Sequence, residues 1–598
     1  MREYRNRTNN TTDSKIKKIT TFWAEAYVSD KQSTQFIFKR IFKYIFIFIA
    51  LLFLFYFLTW LAFKVNSNGI TVFLRQVRRF FSPTSSFYDE DLHTSVNIWN
   101  ESFSSLFLTI KSALVGTFLG YILALITSFM TNKTFNNKYW SFISKTFVLL
   151  LRSFPALIFV TLINKTFNSE FSLFLIYFWF SWLWLHKYFV DILDNFDIRI
   201  YQNSINQGNS KFQAFKKEVL PRVINNFNAL FLYSFESNVR WAGLLATLGA
   251  AGIGQQIYNY SRNPSLISNL MIPLFILISF IVILEFLNII AARFLFRSIN
   301  FQLKTTNYNR LAKRINWQRI IKVLIFSLLT IISIIFIVKI EIFLKSNNFN
   351  VYFLKSLFIP DWSAISESKN SIFYILAQNY IFSFILVFFV VLISFVFVYY
   401  NIFSLNKKIS VYFFRTLNTI VRIFPVIVIY YLFIPLVTNS FFILIMALSI
   451  HEASSLIKQL AHKCESVDEN VIKNLKMQGY SNFKIYCKYI LPSIKYEFIT
   501  LVFLYFELAF RNSINYSVLS SYSLSLGKDI YQYLDNSFYF TKAFGLIWIA
   551  TLNIFLINIF SQVFLDKVIK GDLFNKLANK MVLKYKKSYL KNNFWQSK

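Results

Sequence analysis

Long apolar runs, separated by short polar or basic stretches, make up most of the chain. Between Ile41 and Phe63 the one charged side chain is Lys43, and Ile, Phe, Leu and Tyr fill most of the rest. A run of that length can cross roughly 30 Å of hydrocarbon, whereas apolar stretches of about 10–14 residues suit a buried helix of a soluble protein. The pattern predicts helical spans near 41–63, 103–130, 142–163, 171–193, 223–246 and 269–296. A second set follows near 320–343, 372–400, 411–436, 440–460, 496–519 and 543–565. In lipid, a helix satisfies its own backbone groups, so the fold class is an all-α integral membrane protein.

Charge orients these spans. Lys and Arg collect on the cytoplasmic side of membrane proteins. Arg2, Arg5, Arg7, Lys15, Lys17, Lys18, Lys39 and Arg40 precede the first span, so that segment is predicted inside. Arg293, Arg297, Lys304, Arg310, Lys313, Arg314, Arg319 and Lys322 lie between the two sets of spans with no acid among them, and the tail after Lys567 is Lys-rich. All three clusters fall inside if the chain crosses an even number of times, with both termini cytoplasmic in a plasma membrane. The expected organisation is a cytoplasmic segment at 1–40, a first transmembrane domain at 41–300, a basic linker at 301–319, a second transmembrane domain at 320–568 and a basic tail at 569–598.

Composition agrees: the 598 residues are 56% hydrophobic and 20% aromatic. The net charge of +35 could suggest a nucleic-acid partner. Its placement between apolar runs follows the membrane rule instead, so no nucleic acid is expected. The only cysteines, Cys464 and Cys487, fall in a predicted cytoplasmic segment, which argues against a disulfide framework. About forty mostly polar residues precede the first apolar run, which is late for a cleaved signal peptide, so the first span is expected to be retained.

The two sets of spans repeat one plan. Each has a long outer loop after its first span, at 64–100 and 344–371, and a long inner segment between its fourth and fifth, at 194–222 and 461–495. Arg152-Ser153-Phe154-Pro155 matches Arg422-Ile423-Phe424-Pro425 at an offset of 270. Asp197, Gly208, Leu220-Pro221, Glu236 and Arg240 match Asp468, Gly479, Leu491-Pro492, Glu507 and Arg511 at an offset of 271. Internal duplication is a common transporter plan, with the path at the interface between repeats.

The inner segments carry the sharpest motif. Gln202-Asn203-Ser204-Ile205-Asn206-Gln207-Gly208 is followed thirteen positions after the glycine by Pro221, and Lys473–Gly479 is followed by Pro492 at the same spacing. Glycine ends a helix by taking a left-handed conformation. A short helix can follow along the membrane surface, with Leu-Pro opening the next span, where proline is tolerated. This motif resembles the "EAA" loop of ABC-importer permeases. The acidic and alanine positions of that loop are replaced here by Gln202-Asn203-Ser204 and Lys473-Asn474-Leu475. Gly116-Thr117-Phe118-Leu119-Gly120, Leu151–Pro155, Phe235–Arg240 and Gly249-Ala250-Ala251-Gly252-Ile253-Gly254 resemble phosphonate-type permeases. The second copy is degenerate, with Leu386 and Val390 in place of Gly116 and Gly120, and Ser523–Gly527 in place of the glycine-rich stretch.

The resemblance therefore implies two tandem six-helix type I ABC-importer permease (MetI-like) bundles, fused as in mycoplasma-type high-affinity transport systems. It implies two ATP-binding cassette subunits and an extracytoplasmic substrate-binding lipoprotein as partners, besides membrane lipid and a small-molecule solute. It assigns ATPase coupling to Gln202, Gly208, Leu220, Pro221, Lys473, Gly479, Leu491 and Pro492. The solute it implies is a phosphonate, a phosphate ester or a similar small anion, with thiamine or its phosphates as the alternative. A gradient-driven secondary transporter and a non-transport membrane scaffold are the rival classes.

Charges inside spans are costly and face a partner or a watery cavity. Glu236 and Arg240 share a helix face, as do Glu507 and Arg511. Either these are structural ion pairs, or Arg240 and Arg511, with Arg152 and Arg422, flank a route for an anion, whose oxygens suit guanidinium forks. Gly249, Gly252 and Gly254 are expected at a gate or in an external loop. His186 and His451 are expected in helix packing or beside that gate. His451-Glu452 is followed at position 455 by Ser, which breaks a zinc-protease motif, so no metal is expected. Gly527-Lys528-Asp529 lacks the spacing and hydroxyl of a phosphate loop. No cofactor and no catalysis are expected of this chain, and ATP is expected to act through the partner subunit.

Overall fold

The computed structural model describes residues 17–20, 24–28, 34–38, 48, 52, 55, 65–89, 94–194, 196–296, 317–340, 355–363, 371–519 and 524–565. Most of the predicted first span, most of the basic linker and the tail after 568 lie outside the described residues. Three antiparallel strands, β1 (Lys17–Thr20), β2 (Ala24–Val28) and β3 (Thr34–Phe38), form a small sheet in order β1-β2-β3 within the N-terminal segment. A hairpin of β4 (Ser86–Asp89) and β5 (Thr94–Asn97) lies before the second span. The remaining described elements are helical.

Every predicted span after the first is matched by helix. The predicted outer loop at 64–100 contains α1 (Gly69–Phe80), an amphipathic helix too short and too charged to read as a span. The first half continues with α2 (Ile98–Thr131), α3 (Lys138–Ser153), α4 (Ala156–Thr166) and α5 (Ser169–Asp194). After α6 (Ile198–Asn206) and α7 (Lys211–Ala214) come α8 (Leu220–Thr247), α9 (Ile253–Arg262) and α10 (Ile267–Phe294). The second half has α11 (Trp317–Lys339), α12 (Ile372–Tyr400), α13 (Lys408–Ile423), α14 (Val426–Phe433) and α15 (Ser440–Glu465). It closes with α16 (Glu469–Met477), α17 (Asn482–Ile485), α18 (Leu491–Ser493), α19 (Lys495–Asn515), α20 (Ser525–Asp535) and α21 (Phe540–Phe564). Among the described residues, seven helices are long and apolar enough to cross a membrane, and three sharply bent pairs bring the number to ten. Helix α8, which carries Arg222, Glu236 and Arg240, is not among them.

The predicted spans at 142–163 and 411–436 are each broken rather than continuous. Helix α3 meets α4 at 78°, and α13 with the segment from Val426 to Leu436 bends by 83°. The cause is Pro155 and Pro425, which lack an N–H and push Phe154 and Phe424 into extended backbone. Each break places an arginine, Arg152 or Arg422, in the last turn of the preceding helix, where a cation meets unpaired carbonyls.

Glycine sets the packing of the first half. A Cβ on Gly116 would sit 2.8 Å from the Phe178 backbone nitrogen, and one on Gly120 2.8 Å from Ser181 Cβ. Helices α2 and α5 thus touch backbone to backbone, as small residues allow in lipid. Asn238 of α8 ties both, donating to Thr117 and Ser181 at 2.7 Å. In the second half Leu386 and Val390 occupy the positions of these glycines and are fully buried. Helix α11 packs on the first half, with Phe326 against Phe118 and Tyr121, and Phe336 against Phe174.

Candidate functional site

One end of the bundle carries the two predicted coupling segments. Asp197 caps α6 by accepting from the Arg199 N–H, and Asp468 caps α16 by accepting from the Asn470 N–H. The Arg199 guanidinium also holds the Asp197 carboxyl below the usual carboxylate range. The chain then turns at Gly208 (φ 90°) and Gly479 (φ 81°). Nothing lies within 4 Å of a Cβ added at either, so conformation, not space, requires glycine. Ser210 and Ser481 cap the next helices, and a π-helical turn follows in each copy, Phe215–Val219 and Tyr486–Ile490.

Both segments are anchored on the turn between the second and third spans. In the first copy buried Phe135 meets buried Tyr201 and Phe215 edge to face, with ring centroids 4.7 and 5.2 Å away. Leu405, Ile472 and Tyr486 occupy the equivalent buried positions in the second. Gln202, Gly208, Pro221, Lys473, Gly479 and Pro492 are exposed, and Leu220 and Leu491 are half-buried. Phe212 and Phe483, 271 positions apart, both stand exposed on the outer face. The copies differ at the exit. Leu220-Pro221 opens α8, as the motif predicts, but Leu491-Pro492 stays with the short helix, and the chain bends by 77° before α19.

Arg152, Glu236, Arg240, Arg422, Glu507 and Arg511 gather into two clusters, each joining the halves. In the first, Arg240 lies 3.6 Å from Glu236, and Arg422 of the other half lies 3.6 Å from Glu236 and 2.9 Å from Glu285. Lys458 binds Glu285 at 2.9 Å, and Asn288 donates to Glu236 at 2.8 Å. In the second, Arg511 binds Glu507 at 2.7 Å, and Arg152 of the first half reaches Glu507 at 3.1 Å. Arg511 also donates to the Arg152 carbonyl. Each cluster pairs the fifth span of one half with the broken third span of the other.

The clusters are not equal. Glu285 has no acidic counterpart, since Leu556 stands there, so the first cluster sets two acids against Arg240, Arg422 and Lys458. Glu507 faces Arg152 and Arg511, with Lys187, the counterpart of Lys458, in electrostatic reach. The two cross-half arginines differ in exposure: the Arg422 side chain is 1% exposed and that of Arg152 18%. Nε and Nη1 of Arg422 and Nε of Arg240 have no hydrogen-bond partner among the described residues.

The glycine-rich stretch is a helix reversal. After α8, Gly249 (φ 86°) and Gly252 (φ 101°) turn the chain, and α9 packs back so tightly that a Cβ on Gly254 would meet the Ala242 carbonyl at 2.0 Å. In the second half, Gly527 packs likewise against the Ile514 carbonyl, at 2.5 Å. His186 is buried with Nδ1 2.9 Å from the Thr127 hydroxyl. His451 lies beside Arg422 and Arg240, and neighbouring Glu452 accepts from Asn512 at 3.2 Å. The histidines thus belong with helix packing and the first charge cluster. Sequence reasoning missed Glu285 and Lys458. A lone acid in the apolar run of α10 was the available signal for Glu285.

Comparison with known proteins agrees with this architecture. Residues 116–301 and 403–571 each match the family described as "Binding-protein-dependent transport system inner membrane component". The chain is 25% identical over 460 residues to the ABC transport system permease protein p69 of Mycoplasma pneumoniae, covering 76% of this chain and 82% of that one. The protein of the same name from Mycoplasma genitalium is 26% identical over 436 residues, 72% of this chain and 77% of that one. No solved structure matches. Two family matches in register with two helical bundles lead to one assignment: the chain belongs to the inner membrane components of binding-protein-dependent transport systems, as a multi-pass ABC permease carrying the family domain twice.

Proposed function

We propose that this permease imports a small anionic solute, a phosphonate or phosphate ester, by alternating access driven by two partner ATPase subunits. ATP binding closes the ATPases, which press on the segments around Gly208 and Gly479. The two halves then rock about the charge clusters, and an external binding protein delivers solute to the opposite end. The termini and the coupling segments are cytoplasmic in this reading, as the basic clusters suggest. The observation that carries it is the pair of capped, exposed and aromatic-anchored segments, alike in backbone and 271 residues apart. Phe212 and Phe483 offer each ATPase an exposed ring, of the kind enriched at protein interfaces.

An anion is favoured because Arg152, Arg511 and Lys187 outnumber Glu507 and Asp191 in the second cluster, and because Arg422 has N–H donors with no partner among the described residues. The test is uptake of labelled methylphosphonate, glycerol phosphate and thiamine into vesicles holding the permease, its ATPase and its binding protein. ATP-dependent uptake of the first two supports the reading. Uptake of thiamine alone would replace the substrate class, and uptake that needs an ion gradient but no ATP would replace the mechanism.

A further inference from the structure

We propose that α1 and the bent third span of the second half form a binding site for an anionic phospholipid. Helix α1 runs along the rim of the bundle, at the end opposite Gly208 and Gly479. At its start, Val65 bridges Val437 and the Asn66 N–H donates to the Leu436 carbonyl, next to the turn before α15. At its finish, Arg79 donates to the Pro264 carbonyl at 3.2 Å and the Thr84 N–H to the Ser268 carbonyl, beside the start of α10. Its twelve residues span about 18 Å, so it lies across span ends at one level rather than along them. In a bilayer crossed by α10 and α15, helices that begin there, that level falls at the boundary between headgroups and acyl chains.

The faces of α1 fit that position. Gly69, Phe73, Val77 and Phe80 turn toward the bundle, and a Cβ on Gly69 would meet the Pro435 carbonyl at 2.2 Å. Ile70, Leu74 and Phe81 form an adjoining apolar stripe that is 55–66% exposed. Arg75 and Arg78, also exposed, border that stripe one helical turn apart. An apolar arc edged by arginine is the arrangement that seats a helix in an anionic membrane surface.

Between α1 and the second half lies a groove of about 260 Å³, walled by Phe73, Val77, Phe424, Ile429, Leu432 and Phe433. Every wall is hydrocarbon, so a polar solute would lose its hydrogen bonds there, whereas an acyl chain would lose none. Its lining extends from Phe433, which meets Phe73, to Phe424 beside the Pro425 break. A single lipid could lay its chain in this groove and its phosphate under Arg75 and Arg78.

The site is tested by native mass spectrometry of the purified full chain after exchange into vesicles of phosphatidylglycerol or phosphatidylcholine. The proposal expects phosphatidylglycerol to be retained in preference. It expects Arg75→Gln with Arg78→Gln to lower that retention about fivefold per arginine. Val77→Trp, which fills the groove, should displace both lipids. Circular dichroism and gel filtration confirm that each variant is folded, and Lys407→Gln, at the other end of the bundle, serves as control. Equal retention of the two lipids, retention unchanged by these variants, or a groove found covered by the chain's own preceding segment would each overturn the proposal.

Discussion

Glu507 shows how single residues hold this molecule together. It accepts from Arg511 on its own helix and from Arg152 of the other half, so removing it strands two partly buried cations. Breaking a buried ion pair at one partner costs about 3–5 kcal/mol. Arg422→Ala should approach that range, because Arg422 is nearly inaccessible and faces two carboxylates. Arg152→Ala should cost less, since its side chain keeps more contact with solvent. Unfolding midpoints of Arg152→Ala, Glu507→Ala and the double variant should give a coupling energy of about 0.5–3 kcal/mol. Additive effects would mean that the cross-half contact is not formed. The identities of Glu236, Arg240, Glu507 and Arg511 made these pairs visible in the sequence. The cross-half partners were not, because offset arithmetic places equivalent residues but does not say which half each one faces.

Glycine divides the elements into two kinds. Gly116 lies where α2 touches the α5 backbone, so Gly116→Ala forces the helices apart and should destabilise by about 1–3 kcal/mol, read from the thermal midpoint. Gly208→Ala meets open space and strains only a left-handed turn, at about 1–2 kcal/mol, so its thermal midpoint should move less. A larger loss at Gly208 than at Gly116 would contradict this division. Elements were legible where a long apolar run coincided with one helix. The breaks at Pro155 and Pro425 were marked by the prolines themselves, but apolar residues continue on both sides, so each run read as one span. Helix α1 was hidden for the opposite reason: its charged face and short length read as loop. The bend at Ile494 has no sequence mark at all, since the equivalent Val223 lies within an unbroken helix.

At the scale of the whole molecule, the fused halves are interlocked rather than side by side. Helix α11 packs on the first half, both charge clusters cross between halves, and Lys165 pairs with Asp535 across the rim at 2.9 Å. Cutting the chain between residues 300 and 317 should therefore give fragments that copurify when made together and are degraded when made singly. Fragments that are each stable alone would contradict the interlocking. The duplication was plain in the sequence, but its asymmetry follows from substitutions, such as Glu285 without an acidic mate and Leu386 and Val390 for glycines, whose weight depends on what they touch. The central claim is that the paired end segments transmit force into this interlocked bundle. It is tested most directly by measuring ATP hydrolysis and solute uptake together in vesicles for Gly208→Val and Gly479→Val. The account predicts continued hydrolysis with uptake reduced at least about tenfold in each variant, the equivalent of about 1.4 kcal/mol. An unchanged ratio of uptake to hydrolysis in both variants would contradict it.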